Sequence, residues 1–211
     1  MTGGPCGGKS TAIPLLRDSI TAKYGATTDV YTIPEVPTIL LLGGCRYPST
    51  APGREKELLE FECGILSLQL AMEKSFLSIA RSVPGRNAVC LLDRASFDLV
   101  SYMTPELWVQ TMAHAGETEE SLRARYDAVV FLESAACGAE ESYRFNDNNK
   151  ARTEGLEEAR QLDRRTRDSY SLRFSPAFHL IENRRVDSPF QDKLNRIEAC
   201  VLDIVSRHFA R

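Results

Sequence analysis

The stretch TGGPCGGKST near the start of the chain fits G-x-x-x-x-G-K-[ST] between Gly3 and Ser10. Glycines at this spacing let the backbone wrap closely around an anion, so that successive N–H groups point inward. A helix starting at Lys9 adds its positive end to the same spot. On this reading Gly3, Gly4, Pro5, Cys6, Gly7 and Gly8 form a phosphate cage. Lys9 reaches the β and γ phosphates of a nucleotide, Ser10 places its hydroxyl on Mg²⁺, and Thr11 bonds the α phosphate. A flexible glycine-rich terminus is the plainer alternative. The helical run directly after the glycines favours the cage.

Two carboxylates follow the first two strand-like runs. Asp93, in Leu91-Leu92-Asp93-Arg94, stands where a carboxylate beside a phosphate cage holds magnesium, directly or through water. Arg94 is placed to pair with a substrate or a phosphate. The alternative is an ordinary helix cap followed by an exposed arginine. Glu35, fixed between Pro34 and Pro37, is placed to accept a proton from an attacking hydroxyl, unless it is only a solvated turn residue. A third group is cationic: Arg152, Arg160 and Arg164, candidates to meet charge building on a transferred phosphoryl group. Glu157–Arg160 and Asp163–Arg167 have helical ion-pair spacing, so a solvated, salt-bridged helix competes with that role. Gln69 and Glu73, Tyr102 and Trp108 read as helix surface and core or pocket wall before they read as chemistry.

The elements that must position these groups alternate. Apolar, β-branched runs occur at Val30–Ile33, Ala88–Leu92, Ala128–Leu132 and His179–Ile181, and the two central ones read as strands buried on both faces. Helical patterns span Lys9–Tyr24, Lys56–Arg81, a segment opened by Thr104-Pro105, Glu154–Leu172, and a last one opened by Ser188-Pro189. In the last, Phe190, Leu194, Ile197, Val201, Val205 and Phe209 form an apolar stripe. Pro14 predicts a kink in the first helix. The alternation implies an α/β fold, a three-layer sandwich around a mostly parallel sheet. It forms a single domain over residues 1–211, with a mobile lid over about residues 135–172 hinged near Arg144–Asn149. A phosphate cage normally hangs from a buried strand, and here only Met1 and Thr2 precede the glycines. The first strand is therefore expected to be missing from this chain, and the working protein to carry about 5–10 further apolar residues before it, a typical strand length.

Composition bounds the function. With 211 residues and a net charge of −3, the chain can bury one sizeable core and has no global pull toward nucleic acid. No apolar run approaches the roughly 20 residues of a membrane helix. The six cysteines form no CxxC pair and read as reduced thiols of a cytoplasmic protein. The three histidines stand apart, which argues against zinc.

Taken together, TGGPCGGKST, PEVPT, LLDRASFD, YDAVVFLES, RTEGLEEARQLDRRT and HLIENR resemble the NadR/TRPL-translocation-defect type of P-loop AAA domain, from Thr2 to about Arg196. That family is similar in fold to nucleoside and nucleoside-monophosphate kinases. The resemblance implies a strand order 2-3-1-4-5 and binding of ATP or GTP with Mg²⁺. It also implies that Glu35 is the acidic residue after strand two, Asp93-Arg94 the pair after strand three, and Glu154–Arg167 the lid. The expected activity is γ-phosphoryl transfer to a small-molecule acceptor. A non-catalytic GTP-binding switch or trafficking adaptor is the rival, because the translocation-defect branch is linked to GTP and to peripheral phosphoinositide contact. No N-K-x-D motif is present to select guanine.

Overall fold

The computed structural model describes residues 1–48, 53–143 and 155–210. Strand β1 (Thr2–Gly3) runs through the glycine-rich turn into helix α1 (Lys9–Tyr24). Then come β2 (Thr28–Ile33), α2 (Val36–Leu42), the long α3 (Glu55–Arg81) and β3 (Asn87–Leu92). A 3₁₀ turn at Ser96–Ser101 leads to α4 (Pro105–Ala115) and the short α5 (Glu119–Arg123). The chain closes with β4 (Val129–Leu132), α6 (Leu156–Phe174), β5 (Phe178–Ile181) and α7 (Pro189–Phe209).

Local chemistry accounts for most of these limits. The Thr104 hydroxyl accepts from the Leu107 N–H and Pro105 occupies the first helical position, so α4 starts there. Gly116, at φ 69°, ends it in the left-handed conformation. Helix α1 continues through Pro14.

All strand pairs are parallel. β2 pairs with β3 from Thr28–Asn87 to Ile33–Leu92, and β4 lies between β1 and β5. The two groups of strands meet at Met1, whose amino group donates to Leu92 O at 2.8 Å and whose carbonyl accepts from Arg94 N at 2.9 Å. The first strand is thus present as a two-residue element, correcting the expectation that it is missing. Because β1 runs beside β4 for only two residues and pairs with β3 nowhere along its length, β3 is exposed at Asn87 and Ala88 and half-buried from Val89 to Leu92. The reading of β3 as buried on both faces therefore fails, whereas β4 is buried throughout.

Helices cover both faces. Val129 packs with Leu66, Phe97, Trp108, Tyr170 and Phe174 on the side of α3, α4 and α6. Val130 and Leu132 pack with Leu16, Ile20, Ile197, Val201 and Val205 on the side of α1 and α7. The alternation of β4 side chains supplies one residue to each layer in turn. Helix α6, expected to be solvated, buries Ala159, Leu162, Thr166, Tyr170 and Phe174 along one face. In α7 the stripe from Ile197 to Val205 is buried, but Phe190 at its start is 49% exposed.

Candidate nucleotide-binding site

The turn between β1 and α1 is a tight cage. A Cβ on Gly4 would stand 2.5 Å from Asp163 Oδ1 and 2.9 Å from Ser134 Cβ, so only glycine lets the loop seat against α6. Cys6 holds φ at 54°, a left-handed conformation that a non-glycine residue rarely takes. Lys9, only 6% exposed, folds back under the loop, and its Nζ donates to Gly3 O at 2.8 Å and Gly4 O at 3.0 Å. An ammonium has three N–H donors. The loop takes two of them and thereby fixes the direction of the charge. Burial, with help from Arg94, lowers the Lys9 pKa to about 8, against the opposing pull of Asp93, Asp98 and Glu35. A bound polyanion would reverse that shift by favouring the charged form.

Ser10 and Asp93 meet as expected from their positions: Ser10 Oγ donates to Asp93 Oδ2 at 3.4 Å. Asp93 Oδ1 is buried without a hydrogen-bond partner among the described residues. Burial pushes the Asp93 carboxyl above its usual range, with Lys9 opposing. A buried, unsatisfied carboxylate oxygen beside a serine hydroxyl fits Mg²⁺, a hard cation that takes few protein oxygens and keeps water and phosphate as its other ligands. Among the described residues no group of three or more His, Cys, Asp or Glu could hold a metal. That also suits an ion that arrives with a nucleotide.

Glu35 and Arg94, from the ends of β2 and β3, form an ion pair with Nε 2.5 Å from Oε1. Thr38 Oγ1 donates to the other Glu35 oxygen at 2.8 Å. Burial alone would raise the Glu35 pKa, but Arg94, Thr38 and Lys9 together hold it below the usual range. Arg94 also reaches Asp98 Oδ1 at 3.0 Å and holds φ at 67°. Asp98 in turn accepts from Thr2 Oγ1, Ala95 N and the Tyr170 hydroxyl. Arg94 is therefore committed to two carboxylates rather than open to solvent. Asp98, which sequence reasoning passed over, ties β1 to β3 and α6. Its only signal was its position four residues after Arg94.

Arg160 and Arg164, expected to belong to a lid, lie on α6. Arg160 donates to Ala136 O at 2.7 Å and Glu140 Oε1 at 2.9 Å, and pairs with Glu157 at 3.5 Å. Arg160, Arg164 and Arg167 all line a cavity of about 530 Å³ with Glu133, Asp163 and Asn183. Arg152 and the hinge Arg144–Asn149 lie outside the described residues. Asp163 does not pair with Arg167, which instead approaches Asp168 at 3.9 Å. It is 1% exposed and accepts from the backbone N–H groups of Gly4 at 3.1 Å and Ser134 at 2.8 Å. Burial raises its pKa, and those two N–H groups hold the rise back. Gln69 and Glu73 are buried and bonded to each other, and Glu73 also accepts from Arg125 and Tyr126.

Two further residues went unread in the sequence. Asn183 Nδ2 donates to Ser134 O and Cys137 O, and its Oδ1 accepts from Lys193 Nζ at 2.9 Å. Lys193 also donates to Glu133 O, and burial lowers its pKa to about 8. Together they fasten the segment after β4 to the segment after β5, at the rim of the cavity.

The arrangement is a glycine-rich turn closed over a clamped lysine, beside an oxygen pair suited to magnesium. It lies at the carboxyl ends of parallel strands, where open α/β sheets bind ligands. No curated protein matches the chain. A family model described as an AAA domain matches residues 1–187, so the cage and its fold have a family: this chain belongs to the AAA domains, of the P-loop NTPase type.

Proposed function

We propose that this domain binds a purine nucleoside triphosphate, ATP or GTP, with Mg²⁺ and transfers the γ-phosphate to a small-molecule acceptor. The observation that carries the reading is the buried Asp93 Oδ1, without a partner among the described residues, beside Ser10 on the helix that also carries the clamped Lys9. The motif set from TGGPCGGKST to HLIENR supports a NadR/TRPL-like, nucleoside-kinase-like branch of the family. Cysteines that form no disulfide among the described residues accord with a reducing, cytoplasmic setting.

The geometry supports the following roles. The backbone N–H groups where the turn enters α1, at Gly8 and Lys9, and the Lys9 ammonium grip the β and γ phosphates, and Thr11 stands at the start of α1 for the α phosphate. Ser10 and Asp93 would hold Mg²⁺, which when bound screens the charge of the β and γ phosphates. Glu35 stays ionised and spends both oxygens on Arg94 and Thr38. It therefore serves better to orient the acceptor hydroxyl than to deprotonate it strongly. That suffices, because phosphoryl transfer passes through a loose transition state that depends on positioning and charge more than on a strong base. Arg160 and Arg164, with Arg152, neutralise charge on the transferred group once Arg160 exchanges Glu140 for phosphate.

The test is a single-turnover screen with labelled ATP and GTP against nucleosides, nucleotides and other small alcohols and phosphates. A phosphorylated acceptor is expected. Slow hydrolysis with no phosphorylated product across the screen would replace the kinase reading by a nucleotide-dependent switch.

A further inference from the structure

Phe190 breaks the pattern of its own helix. It occupies the first position of the α7 stripe, yet the packed part of that stripe begins at Leu194 and is fully buried only from Ile197. Helix α7 starts beyond the carboxyl end of β5, so its first turn overhangs the edge of the sheet where the phosphate cage lies. There the Phe190 ring rests on Gly8, the last residue of the cage before Lys9. A Cβ on Gly8 would meet Phe190 Cε2 at 3.0 Å and Cζ at 3.6 Å. Gly8 also holds φ at 94°, so both backbone and space at this point require glycine. The remainder of the ring is open, at 49% exposure. Next to it a groove of about 210 Å³ runs between α1 and α7, walled by Ala12, Leu15, Leu16, Leu194 and Ile197. Leu15, on the α1 side, is likewise 49% exposed.

From this placement we propose that Phe190 is the stacking platform for the nucleobase of the triphosphate gripped by the cage. The proposal rests on the phosphate-cage reading above. A nucleotide held with its α phosphate at Thr11 must leave the cage past the start of α1, and the aromatic face at Gly8 is the apolar surface waiting there. Stacking recognises the π-face that every base shares and is indifferent to its hydrogen-bonding edge. This agrees with a chain that carries no N-K-x-D motif to read guanine. The platform confers affinity for a base without choosing between adenine and guanine.

Titration calorimetry with Mg²⁺ and ATP, GTP or inorganic tripolyphosphate separates the contributions of ring and cage. Phe190→Ala should weaken ATP and GTP alike by about thirty-fold, a mid-range value for base–aromatic stacking, and leave tripolyphosphate unchanged. Phe190→Trp should restore both nucleotides, with the new indole fluorescence quenched on binding. Unchanged ATP affinity in Phe190→Ala overturns the proposal while leaving the cage intact. So does an equal loss for ATP and tripolyphosphate, which would make the ring a prop for the loop. Failure of the parent protein to bind either ATP or tripolyphosphate removes the cage reading itself, and this proposal with it.

Discussion

Lys9 is a charge held in an unfavourable place for a purpose. Its ammonium is buried against two carbonyls, and its pKa of about 8 lies below the ordinary 10.5. The folded state therefore disfavours the charged form, and below pH 8 the protein carries that cost until an anion relieves it. Lys9→Met removes both the cost and the grip. Triphosphate affinity should fall by about 100-fold or more, the value of a charged hydrogen bond or two, while the thermal midpoint stays level or rises. Calorimetric titration and a melting curve on the same sample read both. Glu35 should behave differently. Glu35→Gln keeps the hydrogen bond from Thr38 but weakens the pair with Arg94, so transfer should slow by about 100-fold with nucleotide affinity nearly unchanged. An unaltered single-turnover rate would remove Glu35 from the mechanism. Both residues were legible in the sequence, because motif spacing and strand ends announce them. Asp98 and Asp163 were not, because an aspartate inside a charged run looks the same whether it meets water or a buried N–H group.

The helices that carry the site are set largely by local rules, but what each one touches is not. Helix α6 reads as a string of charges, and its mean character hides the face of Ala159, Leu162, Thr166 and Tyr170 that packs against the 3₁₀ turn and the sheet. Asp163 sits on that face and satisfies the N–H groups of Gly4 and Ser134, joining the cage to the segment after β4. Asp163→Ala leaves two buried donors unpaired. It should lower stability by about 2 kcal/mol or more and weaken triphosphate binding, as denaturant melts and titration would show. Gly4→Ala forces a Cβ into Asp163 and should cost about 1–3 kcal/mol through overpacking, with a matching loss of nucleotide affinity. A melting temperature equal to that of the parent would show that α6 yields at this contact.

Across the whole molecule, burial also strains groups outside the phosphate site, among them Glu62 of α3, at 2% exposure. It accepts one hydrogen bond from the Tyr47 hydroxyl at 3.0 Å. Burial raises its pKa from 4.5 to about 7, and the Tyr47 bond only partly offsets this. The folded chain thus retains a proton that the unfolded chain has released. The contribution of Glu62 to stability should fall as pH climbs from 4.5 to 7 and level off above, a loss of about 3 kcal/mol by linkage. Glu62→Gln should flatten that slope, matching the parent at pH 4 and exceeding it at pH 8 in urea melts. The sequence alone determined the glycine-rich turn before α1, the strand-helix alternation and the helix starts, since glycine spacing, caps and hydrophobic period act within a few residues. Only tertiary structure decided that β3 is half-open, that Arg94 is held between Glu35 and Asp98, and that Phe190 sits on Gly8. These outcomes depend on groups far apart in the chain, as Gly8 and Phe190 are, meeting at one sheet edge. No local propensity specifies which distant side chain satisfies a buried N–H, because that choice follows from how the layers pack.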